Sequence, residues 1–469
     1  MKFFGKIFPL LVLFLFTILT GYCQNEKKNL KYIFLFIGDG MGMNQVSLTE
    51  AAISDSMAFS HLLFTDFPVF GQCETTCKNL FITDSGAAGS AIACGEKENY
   101  SNISYFGDAA DKEISIAKYL HKKAYKVGII STCPMDDATP AAFYASNFSR
   151  KNYYEIAYDA TKSDFELFAG GGFRYFTGKN NDKENIYDVF KQKNYDSISD
   201  LTLLKNSNNK KMIFVNPELL NDNEMPYAID KNFYNRYSLK DITESAINFL
   251  DNENGFFIMV EGGKIDWACH ENDAATAVKE VLDFNDAVSV AMKFYKEHKD
   301  ETLIIVTADH ETGGLSLGNA KNGYGSSFYN IDKQKISREL LSKKINEYHK
   351  NNNNFDFDTV INFIQREFLD TVLLFNEEET VALQKAYDVY LKRDTTISKE
   401  KLKATYAGYN PLSLAILKIF TDRLGVGFTT WDHTAAKVPI WALGVGDKLF
   451  SGSYENSDIK KKILKALGE

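Results

Sequence analysis

Carboxylates and imidazoles recur at equivalent places along this 469-residue chain. Asp39 follows the apolar run 33–37, inside Gly38-Asp39-Gly40-Met41-Gly42. Glu261 closes a second run at 256–260 and opens Glu261-Gly262-Gly263-Lys264-Ile265-Asp266, with His270 four residues further on. Asp309-His310 follows a third run at 303–308 and continues as Glu311-Thr312-Gly313-Gly314. A single carboxylate after a strand ordinarily caps the next helix. Three such strand ends, with two histidines among them, offer the mixed oxygen and nitrogen ligands of a zinc-like ion, while carboxylate with hydroxyl suits magnesium. Asp266 and His270 are spaced to face one way on a helical turn.

A nucleophile candidate lies in Thr83-Asp84-Ser85-Gly86-Ala87-Ala88-Gly89. The small residues after Ser85 predict a helix that packs closely and turns free backbone N–H groups toward an anion. Read alone, the same segment is a capped, small-residue helix. Asp137-Ala138-Thr139-Pro140 follows another apolar run and leads to Arg150, whose planar fork suits two oxygens of one phosphate. The other four histidines, His61, His121, His298 and His349, lie in polar or helical surroundings and read as surface or structural.

These groups need a scaffold that holds them together. Short apolar runs rich in β-branched and aromatic residues predict buried strands at 32–37, 127–131, 167–169, 211–215, 256–260, 302–307 and 438–443. Amphipathic stretches at 114–123, 239–250 and 274–296 lie between them. The alternation predicts an α/β fold: a large, mostly parallel sheet flanked by helices on both faces. Ligands gather beyond the carboxyl ends of such strands, where the candidates above fall. From 317 to 425 strand signals fade and charged helical segments take over, so this stretch reads as a mainly helical insertion before the last core strand. The core is then 24–316 together with 426–469.

Composition narrows the function. The chain is 45% hydrophobic and 25% charged, which excludes a disordered protein. With 53 basic against 62 acidic side chains the net charge is −9, which argues against a general nucleic-acid binder. Lys2, Lys6 and the apolar run 7–19 read as a signal peptide, the run being shorter than the roughly 20 residues of a membrane span. Small residues Gly21 and Cys23 predict cleavage before Gln24; acylation of Cys23 fits less well, because Tyr22 stands where a small residue is expected. An exported, periplasmic or extracellular protein is predicted, and losing Lys2 and Lys6 takes the charge from −9 to −11. The five remaining cysteines form no zinc pattern and leave at least one thiol free, although Cys73 and Cys77 could bridge.

In order along the chain, Gly38–Gly42, Thr83-Asp84-Ser85, Asp137–Ala142 with Arg150, Glu261–His270, Thr307–Gly314 and Trp431-Asp432-His433-Thr434 together resemble the alkaline phosphatase family. The resemblance spans residues 31–317 and 426–446 and implies a three-metal site. One zinc would be held by Asp266, His270 and His433; a second by Asp39, Asp309 and His310; one magnesium by Asp39, Thr139 and Glu261. It further implies Ser85 as the nucleophile of a phosphoserine intermediate, Arg150 as the phosphate clamp, phosphate monoesters as substrates, and a possible homodimer. Trp267 and Asp137 would border the substrate: Trp267 stands where relatives often carry a basic or imidazole group, and Asp137 where many carry histidine. Asp432 replaces a common glycine. Rival readings are a phosphodiesterase or sulfatase of the same superfamily, or a non-catalytic phosphate- or metal-binding protein. Cys133-Pro134-Met135-Asp136 does not match the sulfatase motif, and Arg150 favours a terminal phosphate.

Overall fold

The computed structural model describes residues 30–54, 59–106, 114–205, 210–392 and 398–469; the predicted signal segment 1–23 lies outside them. Ten strands form the main sheet: β1 Tyr32–Ile37, β2 Val69–Glu74, β3 Lys126–Ser131, β4 Leu167–Gly170, β5 Asp196–Ile198, β6 Met212–Val215, β7 Phe256–Glu261, β8 Thr302–Thr307, β9 Val438–Gly444 and β10 Gly452–Glu455. Their spatial order is β10-β2-β9-β8-β1-β7-β3-β4-β6-β5. Only β9 runs against the others. Every residue of β1, β7 and β8 is buried. Successive side chains point to opposite faces, so helices must cover the sheet on both sides.

Register explains why the candidate residues meet. Ile37 pairs with both Glu261 and Thr307, and Ser131 pairs with Glu261, so four neighbouring parallel strands end level. Asp39, Thr132, Glu261 and Asp309 therefore leave the sheet at one edge. β9 reaches the same edge from the opposite direction, with Ile440 beside Thr307, which is why His433 precedes its strand while the other ligand candidates follow theirs. β2 pairs Cys73 with Val438 and delivers the chain toward Ser85 at that edge too.

Among the described residues, the segment 318–425 holds five α-helices, Arg338–Asn351, Phe357–Phe368, Glu377–Tyr390, Lys399–Tyr406 and Pro411–Leu424. Its ends are tied where Ser316–Leu317 pairs antiparallel with Val426–Gly427. The first of these helices docks behind the site. Buried Arg338 donates from Nε to Glu271 at 3.0 Å and from its backbone N–H to Asp273 at 2.9 Å, directly after His270.

Three sheet strands carry no apolar run. β2 alternates buried and exposed residues, β5 is three residues with two exposed, and edge strand β10 is half solvent-facing. The described residues contain no disulfide; Cys73 and Cys77 are both buried free thiols.

Candidate active site

Ser85 opens the helix Ser85–Cys94, every residue of which is buried. Asp84 caps it, accepting from the N–H groups of Gly86 and Ala87. The small residues have a steric cause: a Cβ on Gly86 would lie 2.7 Å from the Asn102 carbonyl, and one on Gly89 would press on Ala142 at 3.2 Å. Ser85 Oγ lies 3.1 Å from His310 Nε2. The same nitrogen is 3.3 Å from Asp39 Oδ1 and 3.3 Å from Asp309 Oδ2. Beside this group, His270 Nε2 is 3.3 Å from Asp266, His433 Nε2 is 3.6 Å from it, and the two imidazole nitrogens approach to 3.2 Å.

Hydrogen bonds on the outer side of each imidazole fix its tautomer. His433 donates from Nδ1 to the Thr83 carbonyl at 2.8 Å, and His270 donates from Nδ1 to the Trp431 carbonyl. The Thr312 hydroxyl gives its proton to Asp266 and so accepts from His310 Nδ1 at 3.2 Å. In their neutral form all three rings therefore turn an Nε2 lone pair inward, which is what imidazole metal ligands require. Ligand atoms of Asp39, Asp309 and His310 lie within 4.8 Å of one another, as do those of Asp266, His310 and His433. His310 thus belongs to both groups.

The charge balance points the same way. Asp39 is buried with Oδ1 lacking any hydrogen-bond partner. Burial, then the charges of Asp309, Asp266 and Glu261, push its pKa well up. Burial and Asp266 raise Asp309 to about 7. Burial raises Glu261 to about 8 against the hydrogen bond from Ser131, helped by Asp137 and Asp309. His270 rises to about 9: burial opposes protonation, but Asp266 outweighs it. Burial lowers both His310 and His433. Buried carboxylates this close, with inward lone pairs and an orphaned oxygen, fit metal cations and are poorly served by protons alone.

Thr139 Oγ1 lies 3.4 Å from Asp309 Oδ2 at the margin of the pit and shares Glu261 as a partner. Arg150 spans two carboxylates, Asp84 at 3.0 Å and Asp137 at 3.1 Å. Trp267 is half-buried beside the pit, its ring 4.6 Å from Lys264 Nζ and 5.9 Å from the Arg174 guanidinium. An indole flanked by two cations therefore stands at this edge of the pit. Asp432 is exposed, and its carbonyl accepts from Gly313 N–H. His61, His121, His298 and His349 take no part in either ligand group.

The sequence profile of the alkaline phosphatase family matches residues 28–468. The chain belongs to that family. It is 31% identical over 457 residues to alkaline phosphatase 4 of Bacillus subtilis, covering 95% of this chain and 90% of the relative. The repressible alkaline phosphatase of Saccharomyces cerevisiae is 25% identical over 93% of this chain and 80% of the relative. The cold-active enzyme of a psychrophilic Shewanella superposes with a TM-score of 0.76 at 28% identity, covering 93% of this chain and all of that one. A TAB5 alkaline phosphatase variant with magnesium in its M3 site superposes at 0.64 with 29% identity over 94% and 99% of the two chains. The protein is accordingly a phosphomonoester hydrolase that works with metal cofactors.

Residue types and spacing do not single out Thr312, Lys264 or Arg174. Thr312 falls within the motif after Asp309-His310, but its hydroxyl matters only because it bridges Asp266 and His310. Lys264 is fully buried under the rings of Tyr227, at 3.8 Å, and Trp267. Arg174 follows Gly170-Gly171-Gly172, a run whose composition marks a connecting segment and nothing more.

Proposed function

We propose that this alkaline phosphatase hydrolyses phosphate monoesters through a phosphoserine at Ser85, with Arg150 gripping the phosphoryl group. One observation carries the reading. Ser85 Oγ sits at the N-terminus of a buried helix, in contact with the His310 lone pair at the mouth of an acidic and imidazole-lined pit, while Arg150 is tied to the residue that caps that helix. By donor chemistry Asp266, His270 and His433 would hold one zinc, Asp39, Asp309 and His310 a second, and the all-oxygen set Asp39, Thr139 and Glu261 a magnesium. When bound, these ions would favour the Ser85 alkoxide and offset charge on the entering and leaving oxygens.

The polypeptide does the remainder. The Arg150 fork, together with the positive N-terminal end of the Ser85 helix, orients the phosphate dianion. Ser85 Oγ attacks phosphorus and the alcohol leaves. Water then cleaves the Ser85–phosphate bond, restoring the hydroxyl and releasing inorganic phosphate. A diester loses one anionic oxygen, so the doubly charged terminal group is preferred. Magnesium in a TAB5 variant's M3 site supports magnesium rather than a third zinc here. The proposed domain division places the helical insertion at 317–425, braced against the His270 side of the site. Segment 1–23 supports export, with release of phosphate from esters outside the cytoplasm, and cell fractionation would check it. No helix among the described residues is long and apolar enough to cross a membrane.

The decisive test compares an aryl phosphate monoester with its diester on chelated protein, then on protein restored with zinc and magnesium, with Ser85→Ala as control. Metal-restored, Ser85-dependent monoester turnover is expected. A diester preference would move the chain elsewhere in the superfamily, and turnover unchanged in Ser85→Ala would remove Ser85 as nucleophile.

A further inference from the structure

Arg150 is held by anions on both sides, and one of those anions is itself held. Asp137 Oδ1 accepts from Arg150 at 3.1 Å, and Asp137 Oδ2 accepts from Arg174 Nη2 at 3.2 Å. One carboxylate is thus shared between two guanidinium groups, and both of its oxygens are committed. Arg174 is well fixed for this. Its guanidinium lies 4.4 Å from the Tyr153 ring, and its side chain is 10% exposed. Its backbone N–H donates to both oxygens of buried Asp136 at 2.9 Å, beside Asp137 in the chain.

Local sequence sets this position. Gly170 has φ +128°, and a Cβ there would fall 1.9 Å from the Ser131 carbonyl oxygen. A Cβ on Gly171 would fall 2.3 Å from the Cys133 carbonyl oxygen. The loop after β4 therefore lies flush on the loop after β3, joined also by Met135 N–H to the Gly172 carbonyl at 2.7 Å. That close approach carries Arg174 to Asp137.

We infer that Arg174 is a positioning residue of the phosphate clamp: by holding the second oxygen of Asp137 it keeps Arg150 divided between Asp84 and Asp137, aimed for the phosphoryl group. The inference rests on the reading of Arg150 as that clamp. Without Arg174, Oδ2 of Asp137 is released while Oδ1 stays anchored on the Ala138 N–H at 2.7 Å. The carboxylate can then rotate about that anchor and take Arg150 into a closed two-point pair, withdrawing the fork from phosphate. Such a defect acts on phosphate binding more than on the chemical step, since neither Ser85 nor any ligand candidate touches Arg174.

The experiment measures steady-state kinetics on an aryl phosphate and the inhibition constant of inorganic phosphate for the metal-loaded wild type, Arg174→Ala, Arg174→Lys, Arg150→Ala and the double Ala variant. Arg174→Ala should raise KM and the phosphate inhibition constant about tenfold, the scale of one charge-assisted hydrogen bond, with kcat changed less than about threefold. Arg174→Lys, which keeps the charge and one donor, should recover part of the loss. In the Arg150→Ala background, Arg174→Ala should add nothing, because its effect travels through Arg150. Unchanged phosphate inhibition in Arg174→Ala would overturn the inference and leave the clamp standing. Additive losses in the double variant would overturn it too, making Arg174 a direct phosphate contact. Unchanged phosphate inhibition in Arg150→Ala would instead defeat the clamp reading itself.

Discussion

The site consists of two charged regions built on opposite terms. In the pit, no lysine or arginine pairs with Asp39, Glu261, Asp266 or Asp309 among the described residues. Their neighbours are histidine, hydroxyl, backbone and one another, and Asp39 Oδ1, though 3.3 Å from His310 Nε2, has no hydrogen-bond partner. At the rim, Asp84 and Asp137 face Arg150 and Arg174, with the more exposed Asp222 also 3.7 Å from Arg174, so each of these carboxylates has a guanidinium partner. The rim carboxylates are matched by cationic side chains of the polypeptide itself. Those of the pit are not: the raised pKa values of Asp39, Glu261 and Asp309 express that deficit, while, against burial, the neighbouring imidazoles hold Asp266 well below the usual carboxylate range. Buried charge must be matched, and this chain matches it with side chains at the rim, where the proposed phosphate clamp lies, and leaves it to added cations in the proposed metal pit.

The largest effect should come from breaking the pit alone. Asp309→Ala removes a buried carboxylate between Gly40 N–H and His310. Activity is expected to fall by at least about a thousandfold, since cation stabilisation of the transition state is worth several kcal/mol. Bound zinc, measured by elemental analysis, should fall with it. Near-normal turnover at full metal content would show that the pit tolerates the loss of this carboxylate.

The next effect is read in stability against pH. In the metal-free protein, Glu261 at about 8 and His270 at about 9 hold protons that the unfolded chain has released. The native state therefore binds more protons between pH 7 and 9, and its stability falls as pH rises through that window, by roughly 3 kcal/mol. His310 and His433 are shifted the other way by burial, so they act below their ordinary value of 6.5 and drop out above it. Zinc and magnesium should flatten the slope, because bound ligands are already deprotonated. Thermal melts at pH 7, 8 and 9, with and without metals, give the comparison. A metal-free protein equally stable at pH 7 and 9 would contradict the charge deficit assigned to the pit.

Pit and rim are unequally legible in the sequence. The pit residues sit at the ends of continuous apolar runs, so the strand pattern alone assigns Asp39, Glu261 and Asp309 to one edge of the sheet. The parallel register then levels those ends, and the one antiparallel strand returns His433. The rim depends on a contact between two loops. Nothing in the spacing of Asp137 and Arg174 shows that they meet; the glycine run makes the contact, and its steric reason appears only when Ser131 and Cys133 lie against it. β2, β5 and β10 escape for a related reason. They are held by neighbours along the sheet, and β2 alternates in burial where β1, β7 and β8 are buried throughout. The outer hydrogen bonds from the imidazoles to Thr83 and Trp431 are equally hidden, because backbone carbonyls leave no mark on residue type.

The smallest effect would isolate the rim by disturbing the contact that builds it. Gly171 needs no left-handed conformation, so alanine there meets only a spatial objection: its Cβ would lie 2.3 Å from the Cys133 carbonyl oxygen and 3.0 Å from that of Asn223. Both are backbone atoms of packed loops, so the 170–174 loop must lift. Overpacking of this kind costs about 1–3 kcal/mol, seen as a lowered melting temperature. Lifting the loop also pulls the Arg174 N–H away from Asp136, where it now sits 2.9 Å from each oxygen. Gly171→Ala should therefore weaken phosphate inhibition several-fold while bound zinc and kcat stay close to wild type. If zinc is lost in step with phosphate affinity, pit and rim are one cooperative unit, and the separation drawn between them fails.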